Sequence, residues 1–93
     1  GLLPNINRWR GQINLGNISE DEFNRTAQKI KFGNSTATLV DYTGKNSKGE
    51  QTRMVGIIAP AGSYTMFFKM TGQNSAVEKH KDELIKFVES FRF

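Results

Sequence analysis

Three runs of strand-forming residues between positions 35 and 72 constrain the fold of this chain more than any other feature. They are STATLVDYT (35–43), TRMVGIIAPAG (52–62) and SYTMFFKMTG (63–72). β-Branched and aromatic residues are frequent in these runs, as they are in strands. The polar stretch GKNSKGEQ (44–51) predicts a hairpin loop, and Pro60-Ala61-Gly62 predicts a turn. The sequence therefore predicts a three-stranded antiparallel meander.

A helix is predicted after the third strand. Ser75 and Glu78 have the spacing of a capping box, in which the two side chains bind free N–H groups at a helix start. Apolar residues then recur at helical spacing: Val77, Leu84, Ile85, Val88 and Phe91. We expect a C-terminal helix over about residues 75–90, with one face on the sheet.

The segment from Ser19 to Asn34 is predicted to be another helix. Ser19 and Glu22 form a second capping box at its start. Three apolar residues then share one helical face: Phe23, Ala27 and Ile30. Gly33 follows where a glycine commonly ends a helix.

The segment NRWRGQ (7–12) holds the only tryptophan of the chain. Pro4 suits the first turn of a helix because it has no N–H to leave unpaired there. Ile6, Trp9 and Ile13 are spaced to share one helical face. We therefore expect a short amphipathic helix with Trp9 as its structural anchor. Three polar side chains point away from that face: Arg8, Arg10 and Gln12.

These elements predict one α+β domain over residues 1–93, in the order α-α-β-β-β-α, with the C-terminal helix covering the antiparallel sheet. Thirteen basic and nine acidic residues give a net charge of +4. This mild excess favours acidic partners only weakly, and it lacks the dense basic stripe of a nucleic-acid-binding domain. The chain has no cysteine, which excludes disulfides and thiolate chemistry. No apolar run approaches the ~18 residues of a membrane span.

Residues suited to catalysis are sparse, and we expect no enzyme activity. His80, the only histidine, lies in the charged run KHKDE (79–83), which is typical of a solvated helix face. Acid–base catalysis needs two carboxylates in different environments, and Asp41 is the only one inside a predicted strand. His80 with Asp82 or Glu83 lacks the spacing of a helical zinc site. No metal or cofactor is therefore expected.

Three longer blocks have a recognisable pattern: NINRWRGQINLGNISEDEF (5–23), ATLVDYTG (37–44) and FFKMTGQNSAVEKHKDELIKFVESFRF (67–93). They resemble a bacterial family of envelope proteins and lipoproteins to which no chemistry is assigned. In that family an N-R-W-R-x-Q block precedes a strand meander, and the chain closes on [FW]FK[ML]TG…V…F…S.RF. The closing strand–Thr-Gly–helix unit is also similar to the end of PsbP-like domains.

The resemblance implies a PsbP-like α/β/α sandwich on an antiparallel sheet. It implies a location in the periplasm or cell envelope, although the sequence is also compatible with a cytoplasmic location. PsbP-like domains are chiefly non-catalytic binding or assembly modules. Family members carry further strand-forming sequence and a leader before the N-R-W-R block, so the chain is expected to be the C-terminal part of a larger domain. A sheet without its first strands has an open edge, which we expect a second copy or the missing segment to cover.

Two functions are compatible with these observations. The first is a non-enzymatic interaction or assembly domain of a bacterial envelope protein, which binds a protein partner or forms a homo-oligomer. The alternative is a small-ligand or anion-binding domain that uses the Arg8/Arg10 region with the sheet. The candidate binding residues are Arg8, Arg10, Gln12 and Arg53. A pocket lined by the three arginines would favour the ligand, and a flat apolar patch would favour the partner.

Overall fold

The computed structural model describes residues 1–92, which form a four-stranded antiparallel sheet with helices on both faces. Phe93, the end of the SFRF motif, lies outside the described residues. The elements are α1 (Leu3–Gln12), α2 (Glu20–Thr26), β1 (Gln28–Phe32), β2 (Ser35–Lys45), β3 (Gln51–Ala61), β4 (Tyr64–Gly72) and α3 (Asn74–Glu89). The strands pair in sequence order, so the predicted α+β class is confirmed, with four strands in the meander instead of three.

The additional strand, β1, occupies residues that the helical pattern assigns to α2. The predicted cap is present, because the Ser19 Oγ accepts a hydrogen bond from the Glu22 N–H at 3.1 Å. The helix nevertheless ends at Thr26, and residues 28–32 pair with β2. Gly33 does not end a helix; with φ of 59° it begins a two-residue hairpin turn, as type II′ turns require.

Burial explains why a strand forms there. Ile30 and Phe32 alternate with Lys29 and Lys31, so a strand directs the two apolar side chains to one face. In the structure Phe32 is fully buried, and Ile30 packs against the same core cluster. The pairing with β2 therefore overrides the helical spacing of Ile30 with Ala27 and Phe23.

The face of the sheet beneath α1 and α2 is packed around Trp9. The indole lies on the backbone of Gly56, where an added Cβ would be 2.3 Å from the Trp9 Cζ3. Only a glycine in the central strand β3 permits this approach. The buried members of this cluster are Ile6, Trp9, Ile13, Ile18, Phe23, Val40, Met54 and Ile58.

The opposite face is covered by α3. Its buried residues come from all elements except α1, α2 and β4: Phe32, Ala37, Leu39, Val55, Ile57, Ala59, Val77 and Val88. Met66, Phe68 and Met70 of β4 pack against this cluster while remaining partly exposed. β3 therefore contributes side chains to two separate cores, one on each face of the sheet.

Two local predictions are wrong at their boundaries. Ser75 does not cap α3, since the N-cap is Gln73 and no side-chain cap bond forms there. Glu78 instead bonds to Arg53 of β3, an attraction across the fold that local spacing does not reveal. The predicted turn at residues 60–62 is also displaced, because β3 continues to Ala61 and residues 62–63 form the turn.

Candidate interaction surface

The strand β4 forms one edge of the sheet, and within the described chain it pairs only with β3. The two-residue turn makes Ala61 and Tyr64 a hydrogen-bonded pair, because a β-turn closes with such a bond. Hydrogen-bonded and non-hydrogen-bonded pairs then alternate along an antiparallel ladder. Pro60 fits this register. It lies opposite Thr65 in a non-hydrogen-bonded pair, so no hydrogen bond to β4 is lost because proline has no N–H.

This alternation determines which backbone groups of β4 face outward. Tyr64, Met66, Phe68, Met70 and Gly72 use their backbone groups toward β3. The N–H and C=O groups of the other four residues point away from the sheet: Thr65, Phe67, Lys69 and Thr71. These four residues form what we call the β4 edge.

Exposed aromatic side chains flank the β4 edge on both faces of the sheet. Phe67 is 52% exposed and contacts the indole of Trp9 edge-on, with ring centroids 6.1 Å apart. On the other face, Phe87 of α3 is 54% exposed and lies 6.0 Å from the ring of Phe68. Tyr64 at the start of the strand is 77% exposed. Exposed apolar side chains that cluster in this way along one strand are typical of interaction surfaces.

The charge of β4 is unusually low for an edge strand. Lys69 is the only charged residue among its nine. Its ammonium donates to the Gln12 Oε1 at 2.7 Å and lies 5.7 Å from the centroid of the Trp9 ring. Natural edges are usually protected by charges, prolines or bulges, and β4 combines a long run with a single charge.

The opposite edge, β1, has the protection that β4 lacks. It is only five residues long, and the turn at residues 33–34 fixes the same alternation of backbone groups. Its outward-facing residues are therefore Lys29 and Lys31, and the Lys29 ammonium also donates to Thr38 Oγ1 at 2.9 Å. Short length and edge lysines disfavour pairing with another chain.

The predicted site residues of α1 lie on the Trp9 side of the sheet. Trp9 is 6% exposed and belongs to the core cluster on this face. Arg8 donates to the Asn5 Oδ1 on its own helix. Gln12 accepts from Lys69, which connects α1 to the β4 edge.

Arg10 is used within the fold. Its Nε donates to the carbonyl oxygen of Gly16 at 2.7 Å, and its guanidinium stacks 4.7 Å from the centroid of the Tyr42 ring. Burial raises the pKa of the Tyr42 hydroxyl, and the nearby Arg10 charge partly opposes that rise. The cation is thus placed on an aromatic face at the edge of the core.

Arg53 is on the opposite face of the sheet, so the structure does not bring it together with Arg8 and Arg10. Its guanidinium binds both carboxylate oxygens of Asp41, at 2.9 and 2.6 Å, and also the Glu78 carboxylate at 2.6 Å. The Lys81 ammonium of α3 donates to the Asp41 Oδ2, which Arg53 also binds, at 2.8 Å. These four residues form an ion-pair network between β2, β3 and α3.

The network favours the charged forms of Asp41 and Arg53. The hydrogen bond from Arg53, assisted by Lys81, holds the pKa of Asp41 below its ordinary value of 3.8, although partial burial opposes this. The two carboxylates raise the pKa of Arg53. A carboxylate held this firmly in its charged form is a weak base, which suits a structural role better than proton transfer.

Three surface depressions of the described chain are lined by residues other than the predicted site residues. Their volumes are about 140, 360 and 240 Å³, and they are found at the β1–β2 turn, the β3–β4 turn and the β2–β3 loop. His80 contacts Glu83 at 3.0 Å on the exposed side of α3. Residues 1–92 contain no group of three His, Cys, Asp or Glu placed to hold a metal ion. Within the same range, no helix has the length and apolar character needed to cross a membrane.

Tyr64, Phe67 and Phe87 are not among the binding residues that the sequence predicts. A signal was present, because YTMFFKMTG combines strand-forming residues with one charge and no proline. The predicted meander already places this strand at one edge of the sheet. The exposure of the three aromatic side chains was not predictable, since it depends on how far the helices cover each face.

Comparison with known proteins adds no identification. No protein-family model, no curated protein and no solved structure matches the chain significantly.

Proposed function

We propose that the protein is a non-enzymatic interaction or assembly domain of a bacterial envelope protein, and that it binds an extended segment of a protein partner along β4. One observation carries this proposal. The β4 edge presents the unpaired backbone groups of four residues between exposed aromatic side chains on both faces, and the strand carries a single charge.

Strand addition uses each of these properties. In this recognition mode the main chain supplies hydrogen bonds, and alternate side chains of the added strand contact the two faces of the sheet. On one face they would meet Phe67 beside Trp9, and on the other face they would meet Phe68 with Phe87. The edge therefore offers both a backbone template and apolar contacts for one added strand.

The sequence blocks support the envelope and PsbP-like parts of the proposal. NRWRGQ and the FFKMTG…SFRF ending resemble the bacterial envelope family, and the closing unit is similar to PsbP-like domains. Helices on both faces of one antiparallel sheet are the arrangement that such an α/β/α sandwich requires. We place the protein in the periplasm or cell envelope on this basis.

The use of the charged residues supports a non-enzymatic role. The mostly buried carboxylate of Asp41 is engaged by two cations, and Arg53 is engaged by two carboxylates. Arg10 is stacked on Tyr42 and bonded to a backbone carbonyl. These groups stabilise the fold through contacts with one another.

Site-specific photo-crosslinking in bacterial cells tests the proposal. A benzophenone amino acid replaces Phe67 on the β4 edge, and in a matched control it replaces Lys31 on the β1 edge. We expect irradiation to join the Phe67 variant to one protein that mass spectrometry identifies, in the periplasmic or membrane fraction. The Lys31 variant should give no such product. Equal yields from both positions, or no product from Phe67, would contradict the proposal.

A further inference from the structure

We propose that the strand bound along the β4 edge is β4 of a second copy, in antiparallel orientation about a two-fold axis at Phe68. This inference rests on the proposed function, because it names the partner for the same edge. The two four-stranded sheets then join into one continuous sheet. The backbone pattern and the side-chain pattern of β4 independently favour this register.

The backbone pattern of β4 is self-complementary about Phe68. Reversing the strand about this residue sets Thr65 opposite Thr71 and Phe67 opposite Lys69. All four are outward-facing residues, so each pairs with another residue whose N–H and C=O are unpaired. Every residue from Tyr64 to Gly72 then lies opposite a residue of the second copy. All the outward N–H and C=O groups of the β4 edge are hydrogen-bonded in this arrangement.

The charge pattern is self-complementary in the same register. Lys69, the only charge of β4, meets the exposed ring of Phe67 from the second copy, and the reciprocal pair forms as well. Opposed side chains in such pairs have Cβ atoms about 4.5–5.5 Å apart, close enough for a cation to contact an aromatic ring. On the other face Phe68 meets Phe68, and Met66 meets Met70.

Neighbouring symmetric registers are less favourable. Centring the axis on Lys69 sets two ammonium groups directly opposite each other, which is destabilising. Centring it on Phe67 leaves Thr71 opposite the turn residue Ser63, so that outward backbone groups lose their strand partners. The register about Phe68 is the one that avoids both penalties.

The β1 edge does not compete for the same pairing. Its outward-facing residues are Lys29 and Lys31, so any antiparallel pairing of two such edges sets lysine against lysine. Pairing β1 with β4 would use two different surfaces and would generate rings or open-ended filaments instead of a two-fold dimer. Pairing between two β4 edges is symmetric and closes after two copies.

Cysteine cross-linking of the purified chain tests the register directly, because these 93 residues contain no cysteine. Thr65→Cys and Thr71→Cys variants are made, one of them carrying a mass tag. Hydrogen-bonded pairs have Cα atoms about 5.5 Å apart, within the range of a disulfide. We expect mild oxidation of the mixture to join Thr65→Cys to Thr71→Cys, at least tenfold faster than either variant joins to itself.

A Lys31→Cys variant mixed with Thr71→Cys is the matched control, and it should stay uncross-linked. Cross-linking of Thr65→Cys to itself at the rate of the mixture would overturn the register. Absence of disulfide dimers in every mixture would overturn the pairing.

Sedimentation of the wild-type chain gives a second test. We expect the mass to double from the 10.5 kDa monomer as concentration rises. Phe67→Pro should abolish this doubling, because it removes an outward N–H that β3 does not use, and Lys31→Pro should leave it unchanged. Far-UV circular dichroism checks that both variants are folded. If Phe67→Pro is unfolded, the cysteine cross-linking alone decides whether two β4 strands pair.

These outcomes separate the two proposals. A purified chain that stays monomeric, while Phe67 cross-links to a different protein in cells, overturns self-pairing and leaves the proposed function intact. A chain that pairs in solution and gives only its own dimer from Phe67 in cells supports both proposals. Failure of the Phe67 position to cross-link to any protein overturns both.

Discussion

Gly56 illustrates how one residue without a side chain positions the whole of α1. The Trp9 ring rests on its backbone, so the residue opposite the indole must have no Cβ. The alternation of β3 directs Met54 and Ile58 to the same face, on either side of the ring. The position of the tryptophan in the NRWRGQ block is therefore determined by the missing side chain of Gly56 in β3.

Replacing Gly56 with alanine should destabilise the fold. The new Cβ would lie within 3.1 Å of three atoms of the Trp9 ring, so the indole and α1 must shift. Overpacking of this kind costs about 1–3 kcal/mol of unfolding free energy. Urea unfolding followed by far-UV circular dichroism measures it. Gly11→Ala is the matched control, because nothing lies within 4 Å of its Cβ and alanine favours a helix by about 0.5–1 kcal/mol. Equal effects of the two substitutions would contradict the interpretation.

At the scale of elements, the ion-pair network is what connects α3 to the strands at one end of the sheet. Asp41 comes from β2, Arg53 from β3, and Glu78 and Lys81 come from successive turns of α3. Arg53 and Asp41 are mostly buried, so removing either one would leave the other as a poorly solvated, uncompensated charge. The network therefore fixes the rotation of α3 about its own axis.

The network should make stability depend on pH in acid. Because the pKa of Asp41 is lower in the folded chain than in the unfolded chain, its contribution is complete above its ordinary value of 3.8 and is lost as the pH falls through the folded pKa. Asp41→Asn should cost on the order of 1–3 kcal/mol near neutral pH, since two cations lose their partner. This difference should narrow below about pH 4.

Urea unfolding at several pH values measures that difference. Asp82→Asn, at an exposed position on α3, serves as the control and should change stability by less than about 0.5 kcal/mol. A deficit of Asp41→Asn that stays constant down to pH 2.5 would show that the charge of Asp41 is not responsible.

Hydrogen exchange should show the alternation of β4 directly. In dilute protein the outward amides of Thr65, Phe67 and Lys69 should exchange much faster than those of Met66 and Phe68, which bond to β3. Amide NMR resolves these sites individually. Raising the protein concentration should slow only the outward set. Uniform protection along the strand in dilute protein would mean that the edge is already covered.

The elements also show where the sequence is informative. The strands β2 to β4 and the helix α3 were predictable because each carries its own periodicity. The junction at residues 26–28 was not, since Phe23, Ala27 and Ile30 fit a helix while Ile30 and Phe32 fit a strand, and only pairing with β2 decides. Because side chains alternate along a strand, Arg53 and Met54 of β3 must lie on opposite faces of the sheet. No local sequence pattern shows that α1 covers the face of Met54 and leaves that of Arg53 to α3.

At the scale of the whole molecule, one sheet stabilises two cores. Met54 and Ile58 of β3 belong to the core beneath α1, while Val55 and Ile57 belong to the core beneath α3. In the part of the chain that the structure describes, α1 and α2 pack on one face of this sheet and α3 packs on the other. The two cores should therefore form and unfold together, as expected of a small domain.

A substitution in one core should consequently weaken the other by the same amount. Trp9→Ala removes a buried indole and should cost about 3–5 kcal/mol. Methyl NMR signals of Ile58 and Val88 report the two cores separately during urea unfolding. Their midpoints should coincide in the wild type and should shift together in the variant. Loss of the Ile58 signal while Val88 keeps its native midpoint would show that the faces unfold independently.

Trp9 lies between the core and the β4 edge, beneath the Lys69 ammonium and against the ring of Phe67. The emission of an indole responds to the electric field of a nearby cation and to contact with water. Because the chain contains one tryptophan, its fluorescence arises from a single site next to the proposed docking strand. The molecule thus carries a native optical reporter, and occupation of the edge is readable as a spectral shift without any label.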